Sequence, residues 1–454
     1  MTGSAYHERR IVFGADPIAT AARLAALSAG DHMVYENRDE VSWAEGEHAS
    51  LSVRADGTVL TGGAGVREFP AAGEPLAALS RALGEVTARG WRAYGWIAFE
   101  LAYALHGIGG ADLSAPVAHL VVPEREIRIA GGMATLRALD PGDLDALERH
   151  LAAVAEESPG ERVTVDVETH GRDAYRRAVA GAVAEIGDRR LDKVILSRVV
   201  PVSAEIDLPA TYLAGRRGND PARSFLLRLA GWEAAGFSPE IVARVDVDGV
   251  VLTQPLAGTR ALDGDADADL RRREELYRDA KEVFEHAISV RLAGEELAGV
   301  CDPPSVRVDD FMSVKRRGSV QHLASQVSGR LADGRTGWDA LAVLFPAVTA
   351  SGIPKAPACE LIRRSEPEER GLYSGAVLTV DADGTIDAAL VLRSVFRRDG
   401  RTWLRAGAGV VEQSTPDREL EETCEKLRSV SRFLVPASGA TAPEDAELSL
   451  STSR

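Results

Sequence analysis

Cysteine is nearly absent: Cys301, Cys359 and Cys424 are the three in 454 residues, far apart and without C-x-x-C spacing. Neither a disulfide framework nor a structural zinc site is indicated, and a reducing cytoplasm is the expected compartment. No uncharged apolar run reaches the ~18 residues of a membrane span, so none is expected. The segment HERRIVFGADPIATAARL sets basic residues before an apolar run, but Asp16, Pro17 and Arg23 interrupt it too early for a signal peptide. Positive charge is in deficit as well. With 69 acidic against 53 basic side chains the formal net charge is -16, which argues against a nucleic-acid backbone or an anionic membrane as partner. A small anion remains admissible, provided that local cations offset the protein's own field. Internal repeats and low-complexity blocks are lacking.

What is present is a soluble globular composition, 45% apolar and 27% charged, in a chain long enough for one very large domain or two to three ordinary ones. The Asp-Gly pairs Asp56-Gly57, Asp248-Gly249, Asp383-Gly384 and Asp399-Gly400 stand between β-rich runs, a strong hairpin signal that predicts antiparallel sheets. Amphipathic helices lie between them. In RDAYRRAVAGAVAEI the residues Tyr175, Val179, Val183 and Ile186 form one stripe, and a second helix is expected from Glu275 to Leu292. The expected fold is α+β, a large single unit of antiparallel sheets wrapped by helices. Residues 1–165 form its N-terminal portion and residues 166–436 its catalytic region. A tail, 437–454, has neither aromatic residues nor periodicity and is expected to be disordered.

The stretch ELEETCEKL, Glu419 to Leu427, puts Glu419, Glu422 and Lys426 on one helical face, with Glu421 and Glu425 on the other. Alone it reads as a solvated helix. However, KEVFEH offers a second E-x-x-E pair, Glu282 and Glu285. Two such helices converging on one cation would present only oxygen ligands, which suit magnesium or calcium better than zinc. Spacing by itself leaves both readings open.

The flanking residues carry more. In order and spacing, FSPE, PLAGTRAL, KEVFEHAISVR, GSVQHL, FPAVTASGIPK, GLYSGAV, RAGAGVV and ELEETCEKL resemble the chorismate-utilising enzymes, namely the anthranilate, aminodeoxychorismate, isochorismate and salicylate synthases. DKVILSRVV, RSFLLRL, HAISVR and YGWIAFELAY are most similar to the salicylate synthases of siderophore pathways. The resemblance implies the anthranilate synthase component I-like fold and a Mg2+-dependent reaction of chorismate. Glu285 and Glu422 match direct metal ligands, with Glu282 and Glu419 supporting through water. Lys193 matches the base that activates water for attack at C2, although by itself it reads as a strand-end lysine. Glu240 matches the acid that protonates the departing C4 hydroxyl, where the plain alternative is a helix-start glutamate after Ser-Pro. Tyr373 and Arg393, with backbone amides near Gly407 and Gly409, match a site for the enolpyruvyl carboxylate. Gly258, Thr259 and Lys426 match residues that hold the ring carboxylate. His322 matches an active-site wall residue.

Relatives that use ammonia carry glutamine where this chain has Lys193 and work with a glutamine amidotransferase subunit; here water is the expected nucleophile and no such subunit is expected. Isochorismate synthases, the enzyme alternative, tend to have alanine where this chain has Thr349, and a threonine accompanies pyruvate elimination. The expected product is therefore salicylate plus pyruvate, made by a monomer. Gln254, where close relatives have glutamate, is a departure from the pattern, as is DAKE in place of a serine-containing SKE. The non-enzyme alternative is an acidic metal-binding or interaction protein whose E-x-x-E helices face solvent.

Overall fold

The structure is a computed structural model that describes residues 4–110, 112–152, 161–262, 264–318 and 320–437. The expected tail therefore lies outside the described residues, apart from Ala437. Two sheets of 11 and 12 strands are found among the described residues, and every ladder in them is antiparallel. All four Asp-Gly pairs named above join paired strands. At Asp399-Gly400 both residues have positive φ, 49° and 74°, the backbone that a tight two-residue hairpin requires.

The sheets pack face to face, and the side-chain alternation along each strand sorts residues into layers. In the strand His32–Glu36, Met33 and Tyr35 enter the core between the sheets, whereas Val34 joins the core beneath the helices Pro17–Leu27, Asp143–Ala152 and Leu208–Gly218. Trp96, Val377 and Ala389 of the second sheet face inward in the same way, while Ile97, Leu378 and Leu390 pack outward under helices such as Pro75–Leu83 and Gly337–Leu344. Both faces are buried, which is why these strands read as near-continuous apolar runs. A buried ion pair ties the layers together: Arg223 of the first sheet meets Asp387 of the second at 2.6 Å, and Tyr35 donates to the same carboxylate at 2.6 Å.

Each sheet takes strands from both sides of residue 165. The first joins His32–Glu36 to Arg223–Leu229, and the second joins Arg92–Ile97 to Ala376–Asp381. The YGWIAFELAY segment completes the second junction, where buried Glu100 accepts from the backbone amides of Arg370 and Gly371.

One expected helix is two. The chain turns at Asp279, giving Ala266–Arg278 and Ala280–Ala298 in place of one helix from 275 to 292. Asp279 has extended backbone (φ -75°, ψ 106°), and its side chain caps the amides of Lys281 and Glu282. The break swings the second helix so that Glu282 and Glu285 point inward, both buried. No helix among the described residues is long and apolar enough to cross a membrane.

Candidate active site

A cavity with about 790 Å³ of empty space, its open mouth included, lies among the strands Leu256–Ala261, Val320–Arg330 and Arg401–Val410 and the helix Pro416–Ser431. All seven expected substrate-binding residues line it, as do Glu240, Thr349, His322, Glu285 and Glu422. Lys193, Glu282 and Glu419 stand just behind this wall, each fastened to a neighbour described below.

Glu240 is 2% exposed. Its Oε1 accepts from the Thr349 hydroxyl and its Oε2 from the Leu256 amide at 2.7 Å. Burial outweighs these bonds and the nearby Lys193 and Arg393, pushing the carboxyl up to about 7. A carboxyl that titrates there still carries its proton near neutrality and can give it to a leaving group. The Thr349 hydroxyl is thus committed to the Glu240 carboxyl. Lys193, at the start of strand Lys193–Pro201, is fully buried and points its ammonium at Glu285 Oε1 (3.0 Å) and Ser289 Oγ (3.1 Å). The strand-end lysine reaching into water is not what the structure contains.

Arg393 supplies the positive end. It sits in left-handed backbone, φ 50°, costly for a side chain of this size. Its guanidinium is buried and makes no ion pair with any described residue; it donates to the Arg317 carbonyl and to His322 Nε2. Burial and the neighbouring Arg317 pull it down to about 10, which still leaves it charged at neutral pH. A buried, unpaired guanidinium is a poor structural element and a good carboxylate receptor. Because arginine only donates, His322 Nε2 accepts and the ring proton lies on Nδ1, facing Thr259 Oγ1 at 3.0 Å. Burial, with Arg393 and Lys426 close by, holds His322 well below its ordinary value, so the ring is neutral. Lys426 reaches the Gly407 carbonyl and Glu422, both at 2.8 Å.

Glycine is required at three wall positions. Gly258 occupies a bulge between Ala257 and Thr259 with φ 85°, and a Cβ there would come within 3.2 Å of Glu282 Oε2. At Gly407 an added Cβ would lie 2.6 Å from the Leu196 carbonyl and 3.0 Å from the Tyr373 hydroxyl, and at Gly409 it would lie 2.3 Å from Glu285 Oε1. Backbone and carboxylates therefore meet directly along this wall.

Glu419 is fully buried and Glu422 nearly so, whereas Glu421 is exposed, as the helical spacing requires. Each of the four glutamates faces a basic group: Glu282 with Arg260 (3.2 Å), Glu285 with Lys193, Glu419 with Lys281 (2.9 Å) and Glu422 with Lys426. No three His, Cys, Asp or Glu side chains among the described residues are close enough together, as they stand, to grip a metal ion. The donor set nevertheless fits a hard divalent cation. Burial first, and then Glu422 with Glu285, raise Glu282; burial and Glu422 raise Glu419. Burial and mutual repulsion thus disfavour the charged forms of Glu282 and Glu419, and Glu419 Oε2 is buried with no hydrogen-bond partner among the described residues. A cation would relieve both conditions. The alternative of E-x-x-E helices facing solvent does not survive this burial.

Several contributors were not picked out from the sequence, although each lies inside a quoted motif: Arg260 in PLAGTRAL, Lys281 and Ser289 in KEVFEHAISVR, and Arg405 in RAGAGVV. Arg405 lines the cavity and is locked from behind by Glu366 (2.6 Å) and Ser197 (2.9 Å), with its guanidinium 5.5 Å from the Tyr373 ring centre.

A buried acid, a buried lysine and an unpaired guanidinium around one cavity define an enzyme site for a small carboxylate. The chain belongs to the chorismate binding enzyme family, whose sequence profile matches residues 31–432. It is 44% identical over 430 residues to the salicylate synthase of Mycolicibacterium paratuberculosis, covering 92% of this chain and 94% of that one. Among solved structures it resembles anthranilate synthase component I from Streptococcus pneumoniae (TM-score 0.75, 23% identity, 87% of this chain and 93% of that one). The menaquinone-specific isochorismate synthase of Escherichia coli is similar at TM-score 0.72 and 23% identity, with 95% of both chains covered.

Proposed function

We propose that the protein is a salicylate synthase that converts chorismate through isochorismate to salicylate and pyruvate. The observation that carries this reading is the single cavity in which the Glu240 carboxyl, titrating near 7, shares a wall with the unpaired Arg393. Arg393 and Tyr373 bind the enolpyruvyl carboxylate, with the strand at Gly407 and Gly409 closing that side. Gly258, Thr259 and Lys426 hold the ring carboxylate. In the first step Lys193 takes the proton of a water attacking C2, which requires its pairing with Glu285 to open, while Glu240 protonates the C4 hydroxyl as it departs. In the second step isochorismate divides into salicylate and pyruvate, which needs the bound geometry and no further acid or base from the protein.

Magnesium would be held by Glu285 and Glu422, with Glu282 and Glu419 supporting through water, and would offset the charge of the ring carboxylate. The similarity to a salicylate synthase along nearly its whole length supports the lyase activity over isochorismate synthesis alone, and Lys193 supports water over ammonia. A cytoplasmic monomer working in siderophore assembly, without an amidotransferase subunit, completes the reading.

The test is a product assay. Purified protein, chorismate and Mg2+ should give salicylate and pyruvate in equal amounts without ammonia, and excess chelator should stop the reaction. Accumulation of isochorismate with no pyruvate would reassign the protein to isochorismate synthesis.

A further inference from the structure

Beside the substrate cavity lies a second, much smaller one that shares Glu240 and Thr349 with it and is otherwise bounded by different residues, among them Thr253, Gln254, Ala293 and Glu296. Its empty space, open side included, is about 280 Å³, within which the room for the centre of a water is about 10 Å³. The lining sets a few polar groups among apolar residues such as Ile241, Leu344 and Val348. The Thr253 hydroxyl and the Gln254 side-chain amide hydrogen-bond to no described residue, and the carboxyls of Glu240 and Glu296 add acceptors. An ordered water needs two to four such partners.

We propose that this second cavity is the binding site of the water expelled from C4 and, in the reverse direction, of the water that attacks C4, with Gln254 and Thr253 as its partners. The inference rests on the acid role of Glu240 in the proposed function. As the C4–O bond breaks, the Glu240 proton joins the departing oxygen, giving one water and a carboxylate. The C2–O bond forms from another water, whose proton passes to Lys193, while the electron pairs of the ring diene shift between the two carbons. One water enters and one leaves. With the ring filling the larger cavity, the small one, bounded by the same Glu240 and Thr349, is the space open to the water that has just formed.

The experiment uses the full chain with Mg2+ and two variants that reach the cavity from different walls. Gln254→Leu removes a polar partner, and Ala293→Val fills space from the helix Ala280–Ala298. Three rates are compared: chorismate consumption, oxygen-18 uptake at C4 of chorismate recovered from labelled water, and pyruvate release from supplied isochorismate. Both variants should lose about tenfold or more in the first two and stay within about twofold in the third, whereas Gln254→Asn, which keeps the amide, should lose little. An unchanged first step in either variant, or an equal loss in all three rates, overturns the proposal. Those results leave the acid role of Glu240 standing, because the wild type still consumes chorismate; a wild type that cannot do so removes both together.

Discussion

Thr349 donates its hydroxyl to Glu240, so under the proposed acid role of Glu240 its influence on the first step would run through that carboxyl. That bond lowers Glu240, and losing it must raise the group further above its ordinary value. A general acid works while protonated, so the alkaline limb of chorismate turnover should fall as pH rises through about 7, while the acidic limb is set by the groups that must be unprotonated. In Thr349→Val this alkaline limb should move upward by about 0.7 pH unit, the equivalent of a hydrogen bond worth ~1 kcal/mol. A limb that stays in place or moves down would separate Thr349 from the acid. At this scale the sequence exposed residue types and order, and the family motifs marked the site residues. It did not expose partners. Nothing in VTASG says that the threonine bonds to a glutamate more than a hundred residues earlier, and nothing in RAGAGVV separates Arg405, clamped by Glu366, from an arginine at a strand edge.

The two E-x-x-E helices show which elements could be read from the chain. Asp-Gly hairpins are local, and every one that was singled out formed. The break at Asp279 was harder, because Arg278, Ala280, Lys281 and Glu282 are all good helix formers and no Gly or Pro interrupts them. Its trace is D-A-K-E, an N-cap aspartate with an acidic residue three positions on. Asp279 also pairs with Arg260, beside Glu282. Asp279→Ala should therefore cost about 1 kcal/mol of stability in urea unfolding, and Asp279→Asn, which retains a cap acceptor, should recover most of it. Equal losses in both variants would assign the effect to the ion pair instead of the cap.

For the whole molecule, antiparallel sheets were legible from the hairpins, but the long-range pairing was not. The division near residue 165 follows a change in composition, yet strand pairing crosses it in both sheets, at His32–Glu36 with Arg223–Leu229 and at Arg92–Ile97 with Ala376–Asp381. Such contacts depend on which edges meet in space, and no window of sequence encodes them. The fragment 166–436 on its own should thus leave two strand edges and the core between the sheets uncovered. It should be aggregated or lack dispersed amide resonances, and a well-dispersed NMR spectrum would show that the catalytic region folds independently.

In the proposed function Lys193 and Glu240 form an acid–base pair for the first step alone, at one cavity that completes both steps. Comparing Lys193→Ala and Glu240→Gln on the two substrates tests it most directly. With chorismate each variant should lose about 10²–10⁴-fold, the usual contribution of a positioned acid or base, and with supplied isochorismate each should still release pyruvate. Near wild-type rates on chorismate would return both residues to structural roles, and an equal loss on both substrates would make them binding residues.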